Sequence, residues 1–189
     1  VMQYLNQSIT GDDGVATGYA DRLSPSGNLE QHYTKTGPYK VAHYIQNNTD
    51  GSKAYRLYYP EHQKANQTFP LVVMVNGTAT PASTYTPILE HLASWGFVVI
   101  GNEDGLAGTG ASTAAMLDAA LQYNTTHESP VRGLINTNKI GIAGHSQGGA
   151  GAINAATKYN NSNKYSSLYT ASAVGRGTAN NNKWTYDVS

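Results

Sequence analysis

The segment Lys139-Ile140-Gly141-Ile142-Ala143 runs directly into Gly144-His145-Ser146-Gln147-Gly148-Gly149, and few folds accommodate that junction. A short apolar run bounded by glycine fits a strand buried on both faces, as in a parallel sheet. Gly148 to Tyr159 is rich in alanine and other small residues and has no proline, so it can be helical. Between the two, a glycine stands two residues either side of a serine. A sharp strand-to-helix turn demands that spacing: the serine takes a strained backbone conformation, and only small residues fit at the flanking positions. The turn exposes a hydroxyl at the N-terminus of a helix, whose dipole favours developing negative charge. Ser146 is therefore the candidate nucleophile.

A serine hydroxyl is a weak nucleophile at neutral pH and needs a positioned base, with donors ready for the oxyanion. One expected donor is the main-chain N–H that follows the nucleophile, that of Gln147. The second comes from the loop after the third strand. That strand reads Phe69-Pro70-Leu71-Val72-Val73-Met74-Val75, and the loop reads Asn76-Gly77-Thr78-Ala79. Gly77 permits a tight turn. Thr78 is the expected donor, with Ala79 next, although Asn76-Gly77 is also an ordinary turn dipeptide. His145 adjoins the serine on a turn that directs its ring away from the hydroxyl. Packing or a supporting hydrogen bond is its expected role.

The remaining pattern points to an α/β architecture with a doubly wound, mostly parallel sheet. Residues 1–189 read as a single domain of a size that buries a substantial core. Val1 to about Pro38 is polar and turn-rich, an irregular N-terminal wrap with room for a short helix. Strands are expected at about Tyr39–Ile45 and Ala54–Tyr59, the alternation in Tyr55–Tyr59 suiting an antiparallel edge. Leu71–Val75 is the third strand, followed by a helix over Ser83–Ser94 that Gly96 caps. Phe97–Ile100 is a strand, Glu103–Gly110 a loop and Ala111–Tyr123 a helix. Asn138–Ala143 is the fifth strand, Gly148–Tyr159 the third helix and Thr170–Val174 a sixth strand. Short apolar strands alternating with helices give parallel pairing.

Composition narrows the partners. Lys plus Arg and Asp plus Glu both number 12, which leaves no electrostatic footprint for nucleic acid or an acidic membrane. No stretch is apolar enough to span a bilayer. Low charge, abundant Asn, Thr, Ser, Gly and Tyr, and a start without a signal peptide fit a mature secreted protein. There is no cysteine, so disulfides neither support nor oppose that reading. Asn-x-Ser/Thr sequons at Asn66 and Asn124 are accounted for by the abundance of asparagine. No His-Glu-x-x-His cluster exists, and Glu103-Asp104 reads as a solvated loop pair rather than a Ca²⁺ site. No cofactor and no metal is expected.

From about Tyr39 to Val174 the chain resembles the α/β-hydrolases, and more narrowly the bacterial cutinase, polyester-hydrolase and dienelactone-hydrolase-like lipase group. The resemblance rests on Pro70–Gly77, on His91-Leu92-Ala93-Ser94-Trp95-Gly96-Phe97-Val98-Val99-Ile100, on Leu117–Leu121 and on Ile140–Gly149. It implies a bacterial, extracellular serine carboxylic-ester hydrolase acting through an acyl-enzyme on a small-molecule or polymeric ester. Ser146 would attack, and the Thr78 and Gln147 amides would hold the oxyanion. The chain departs from the group in two places. Asn76 stands where the group usually has a proline. Val174-Gly175-Arg176-Gly177-Thr178 replaces the group's aromatic platform, which directs Arg176 toward the same cleft; Trp184 reads either as a cleft-lining residue or as a packing anchor in an Asn-rich loop.

The motif also requires an acid and then a histidine further along the chain. The last histidine here is His145, inside the motif. Asp187 is the sole acid after Ser146, and it precedes the place where a seventh strand would run. His32, His43, His62, His91 and His127 fall in the N-terminal wrap, edge strands and helix surfaces, as packing or solvated residues. The expectation is therefore an incomplete chain: the sheet is truncated after about its sixth strand, and the C-terminal segment with the triad Asp and His is absent or supplied as another chain. A non-catalytic binding protein, or a peptidase or acyltransferase on the same scaffold, is the competing reading.

Overall fold

The apolar runs pair into one six-stranded sheet in the computed structural model, which describes residues 25–48, 51–61 and 64–174. The strands are β1 (Val41–Gln46), β2 (Tyr55–Pro60), β3 (Phe69–Val75), β4 (Val98–Asn102), β5 (Ile135–His145) and β6 (Ser167–Ala171). They lie in the order β1-β2-β4-β3-β5-β6. β1 pairs with β2, and β2 with β4, in antiparallel fashion. The pairs β3/β4, β3/β5 and β5/β6 are parallel. The helices are α1 (Asn28–Tyr33), α2 (Thr86–Ser94), α3 (Ala111–Tyr123) and α4 (Gln147–Lys158).

The order of the strands decides where the helices go. After β3 the chain steps to β4 on one side, then crosses back to β5 on the other. Parallel crossovers are right-handed, so reversing the direction of travel changes the face. α2 packs on one face of the sheet, and α3 and α4 on the other. Side chains of alternate strand residues follow suit. Leu71, Val73, Val98, Ile100 and Ile140 point to α3 and α4, where they meet Met116, Leu117, Ala120, Ala152 and Ala155. Val72, Met74 and Val99 point to the α2 face, with Tyr85, Leu89 and Ala93. Burying each Leu or Ile side chain contributes about 1.5–3 kcal/mol.

Three elements differ from the sequence expectation. The helix expected from Ser83 begins as a 3₁₀ turn, Ala82–Tyr85, and becomes α-helical only at Thr86. Pro87 has no N–H to continue a preceding helix, so it sits in the first α turn. β5 starts three residues before the expected Asn138. Ile135 and Asn136 pair with Phe69 and Pro70, then the register shifts so that Leu71 faces Ile140. Pro70 cannot donate to a ladder, and it marks the irregularity. The sixth strand is Ser167–Ala171, not Thr170–Val174. Among the described residues it is an edge strand, and its first three residues are exposed, so no apolar alternation marks it. The described part of the expected N-terminal wrap contains α1.

Candidate active site

β3 and β5 are neighbours on either side of the point where the strand order reverses, and Val75 is paired with Gly144. The loops at their C-terminal ends therefore lie together. In open α/β sheets this crevice is where ligands bind.

Ser146 adopts φ 55° and ψ −124°. A positive φ in a non-glycine residue costs on the order of 1–3 kcal/mol and persists only where neighbours impose it. The neighbours here are backbone. A Cβ on Gly144 would collide with the Gly148 carbonyl, and a Cβ on Gly148 with the Val75 and Asn76 carbonyls. A Cβ on Gly149 would come within 2.6 Å of the Ala173 Cβ. The three glycines therefore let α4 press against β3, against its own turn and against the segment after β6. The Ser146 N–H donates to the Ala171 carbonyl at 2.9 Å, and the Ser146 carbonyl accepts from Gly149 at 2.9 Å and Val174 at 3.3 Å. The Ser146 hydroxyl makes no hydrogen bond among the described residues. Neither does the Gln147 N–H.

The loop after β3 is held on three sides. Asn76 is fully buried, and its Nδ2 donates to the carbonyls of Asn102 and Asp104, the latter at 3.0 Å. This ties the end of β3 to the end of β4, a tether that a proline at position 76 cannot make. The Gly77 N–H donates to the Tyr85 hydroxyl at 2.9 Å. The Ala79 N–H donates to the Gly105 carbonyl at 2.8 Å, and Thr80 closes the turn onto Gly77. Of the amides from Gly77 to Thr80, only that of Thr78 makes no hydrogen bond among the described residues. Ala79, the alternative donor, is thus already committed.

The hydroxyl of Tyr85 also lies 2.9 Å from Nδ1 of His145. Both side chains are buried. Burial raises the Tyr85 phenol above its ordinary value, opposed by the Gly77 N–H. Burial likewise lowers the His145 imidazole below its ordinary value, which favours the neutral ring. On the far side of the loop, Glu103 pairs with Arg56 and accepts from the Ser83 amide and hydroxyl at 3.1 and 2.8 Å. It has become an anchor for the 3₁₀ turn that carries Tyr85, rather than a solvated acid.

The other described histidines are occupied elsewhere. His91 Nε2 is 2.7 Å from the Tyr33 carbonyl, His43 lies against Tyr58, and His32 against Tyr33 and Trp95. His127 is exposed beside Glu128. None is hydrogen-bonded to Ser146. His62, Arg176, Trp184 and Asp187 lie outside the described residues. Asn124 spends its amide on the Ile135 N–H and carbonyl, fixing the start of β5. Sequence reasoning singled out Ser146 and the loop, which the structure brings together at the ends of β5 and β3; it gave no part to Tyr85 or Asn102 and no role to Asn76. Asparagine at two strand ends was the one available signal; nothing near Tyr85 marked it.

No helix among the described residues is long and apolar enough to cross a membrane. No curated protein matches the chain. The model of the PET hydrolase-like family matches residues 20–169, a stretch that takes in the loop after β3, the Ser146 turn and α4. The chain belongs to the PET hydrolase-like family, ester hydrolases built on the α/β-hydrolase fold.

Proposed function

We propose that the protein is a secreted serine carboxylic-ester hydrolase, with Ser146 as nucleophile and the Thr78 and Gln147 amides as the oxyanion hole. The observation that carries this reading is the positive φ of Ser146. A binding protein has no use for a strained serine at the crevice. Two main-chain amides in adjoining loops that make no hydrogen bond among the described residues add to it, because such donors stabilise the tetrahedral oxyanion. In the reaction, the Ser146 hydroxyl oxygen attacks the ester carbonyl and its proton passes to a base. The alkoxide leaves with that proton, and water then cleaves the acyl-serine by the same route. The base and its orienting acid come from outside the described residues. The substrate is a carboxylic ester, small or polymeric.

The test is a fluorophosphonate probe and a chromogenic p-nitrophenyl ester, applied to the protein with whatever its gene encodes on either side of these residues. Stoichiometric labelling of Ser146 is expected, with turnover falling by at least about 10⁴-fold in Ser146→Ala. Turnover that survives Ser146→Ala, or a label on another residue, would sink the reading. A serine inert to both reagents would favour the non-catalytic binding protein.

A further inference from the structure

The loop that presents Thr78 and the turn that presents Ser146 come from strands 70 residues apart in the chain, yet one buried hydrogen-bonded strap spans them. The Gly77 N–H donates to the Tyr85 hydroxyl at 2.9 Å, and the same oxygen lies 2.9 Å from His145 Nδ1. Tyr85 is 1% exposed and His145 8%. Gly77 is the residue before Thr78, and His145 is the residue before Ser146. The strap therefore fixes the distance between the proposed nucleophile and the proposed oxyanion donor.

The chemistry of the three groups sets its direction. The Gly77 amide can only donate, so the Tyr85 oxygen accepts from it. The phenol's own proton is then free to donate to His145 Nδ1, provided the imidazole is neutral and carries its proton on Nε2. Burial favours the neutral ring, and a buried donor left without an acceptor is costly. The fit is close: a Cβ on Gly77 would lie 3.1 Å from the Tyr85 oxygen and 3.2 Å from His145 Nδ1. A side chain at 77 would thus crowd both ends of the strap, although the Gly77 backbone itself is not left-handed. Tyr85 is itself anchored, because the 3₁₀ turn that carries it is held by Glu103 through Ser83.

We infer that Tyr85 and His145 are positioning residues that hold the Thr78 amide in register with Ser146. Neither touches the reacting atoms; Tyr85 acts through Gly77, and His145 through Tyr85. The inference rests on the proposed ester hydrolysis for its kinetic consequence but not for its structural one, and the two can be measured separately.

The structural arm is amide hydrogen exchange at Gly77, with the nitrogen shifts of His145 to report its tautomer. Tyr85→Phe keeps the ring and removes the acceptor. It is expected to speed Gly77 exchange about tenfold and to leave exchange in β4 unchanged. The kinetic arm uses a soluble p-nitrophenyl ester. Tyr85→Phe is expected to lower kcat about tenfold while KM stays within about twofold, because an oxyanion donor acts on the transition state. His145→Phe should behave like Tyr85→Phe. His145→Asn, whose Oδ1 can accept near the position of Nδ1, should recover most of that loss. A merely structural role would affect His145→Asn and His145→Phe alike. Unchanged Gly77 exchange in Tyr85→Phe, or equal kinetics in the two His145 variants, would overturn the inference. If wild type shows no turnover that depends on Ser146, the hydrolase reading fails, and Gly77 exchange still decides whether the strap exists.

Discussion

On the face of the sheet covered by α3 and α4, Leu57, Leu71, Val73, Ile100, Met116 and Leu117 are wholly buried. On the α2 face, Val72, Met74, Ile88, Leu92, Leu168 and Tyr169 line an open groove of about 460 Å³. The same strands supply both faces, with the same kinds of residue alternating along them. The difference lies in the helices: among the described residues α3 and α4 seal one side, and α2, with α1 against its end, lies on the other. Leu168 and Tyr169 remain 45% and 68% exposed as a result. The serine turn draws its rigidity from the sealed side. A Cβ on Gly151 would collide with the Ala107 carbonyl, so α4 sits hard against the loop before α3. Tyr85 and His145 are among the residues that line the groove on the other side. The machinery is thus fixed from below by main-chain packing and trimmed from the side by a hydrogen-bonded pair.

The sharpest way to break this contrast is at the close approach of α4 to β3. Gly148→Ala puts a methyl into the Val75 and Asn76 carbonyls, and main chain cannot step aside as a side chain can. A loss of about 4 kcal/mol or more in urea unfolding is expected, a range reserved for exceptional sites. A smaller cost would show that the turn can relax. Next in size is a matched pair across the sheet. Leu71→Ala on the sealed face should cost about 2–5 kcal/mol through lost transfer energy and the cavity left behind. Leu168→Ala in the groove should stay within about 0.5 kcal/mol, as at a surface site. Comparable losses at the two positions would mean that the groove is covered in solution.

The smallest expected effect concerns acid. The folded-state pKa of His145 lies below its ordinary value of 6.5, so the unfolded chain binds the proton first. Stability from this group is complete above about pH 6.5 and is lost as pH falls through the depressed value. His145→Asn should remove that part of the decline. The comparison to make is the slope of unfolding free energy against pH from 7 to 5 in the two proteins. An identical slope would show that the buried ring is protonated without cost.

Much of the architecture was legible because it is local. The run Lys139–Gly149 specifies strand, turn and helix within eleven residues, each step imposed by burial, glycine spacing or helix capacity. Gly96, at φ +93°, ends α2 as a helix-stopping glycine should. The third and fourth strands announced themselves by continuous apolar runs. β6 did not, because among the described residues Ser-Leu-Tyr-Thr-Ala pairs on one edge and its first three residues are exposed, so no alternating pattern is selected. The late start of α2 was legible in Pro87, which is favoured in the first turn of a helix and disfavoured inside one, whereas nothing local marked the 3₁₀ turn before it.

The sequence by itself determined the strand–turn–helix around Ser146, the small residues that let it form and the loop that faces it, because those constraints act between near neighbours. Tertiary structure alone decided the order of the strands and the face each helix takes. It also decided the meeting of Gly77, Tyr85 and His145, the last two of which are 60 residues apart. Hydrogen-bond partners across such separations are chosen by which strand lies beside which, and no local pattern encodes that choice.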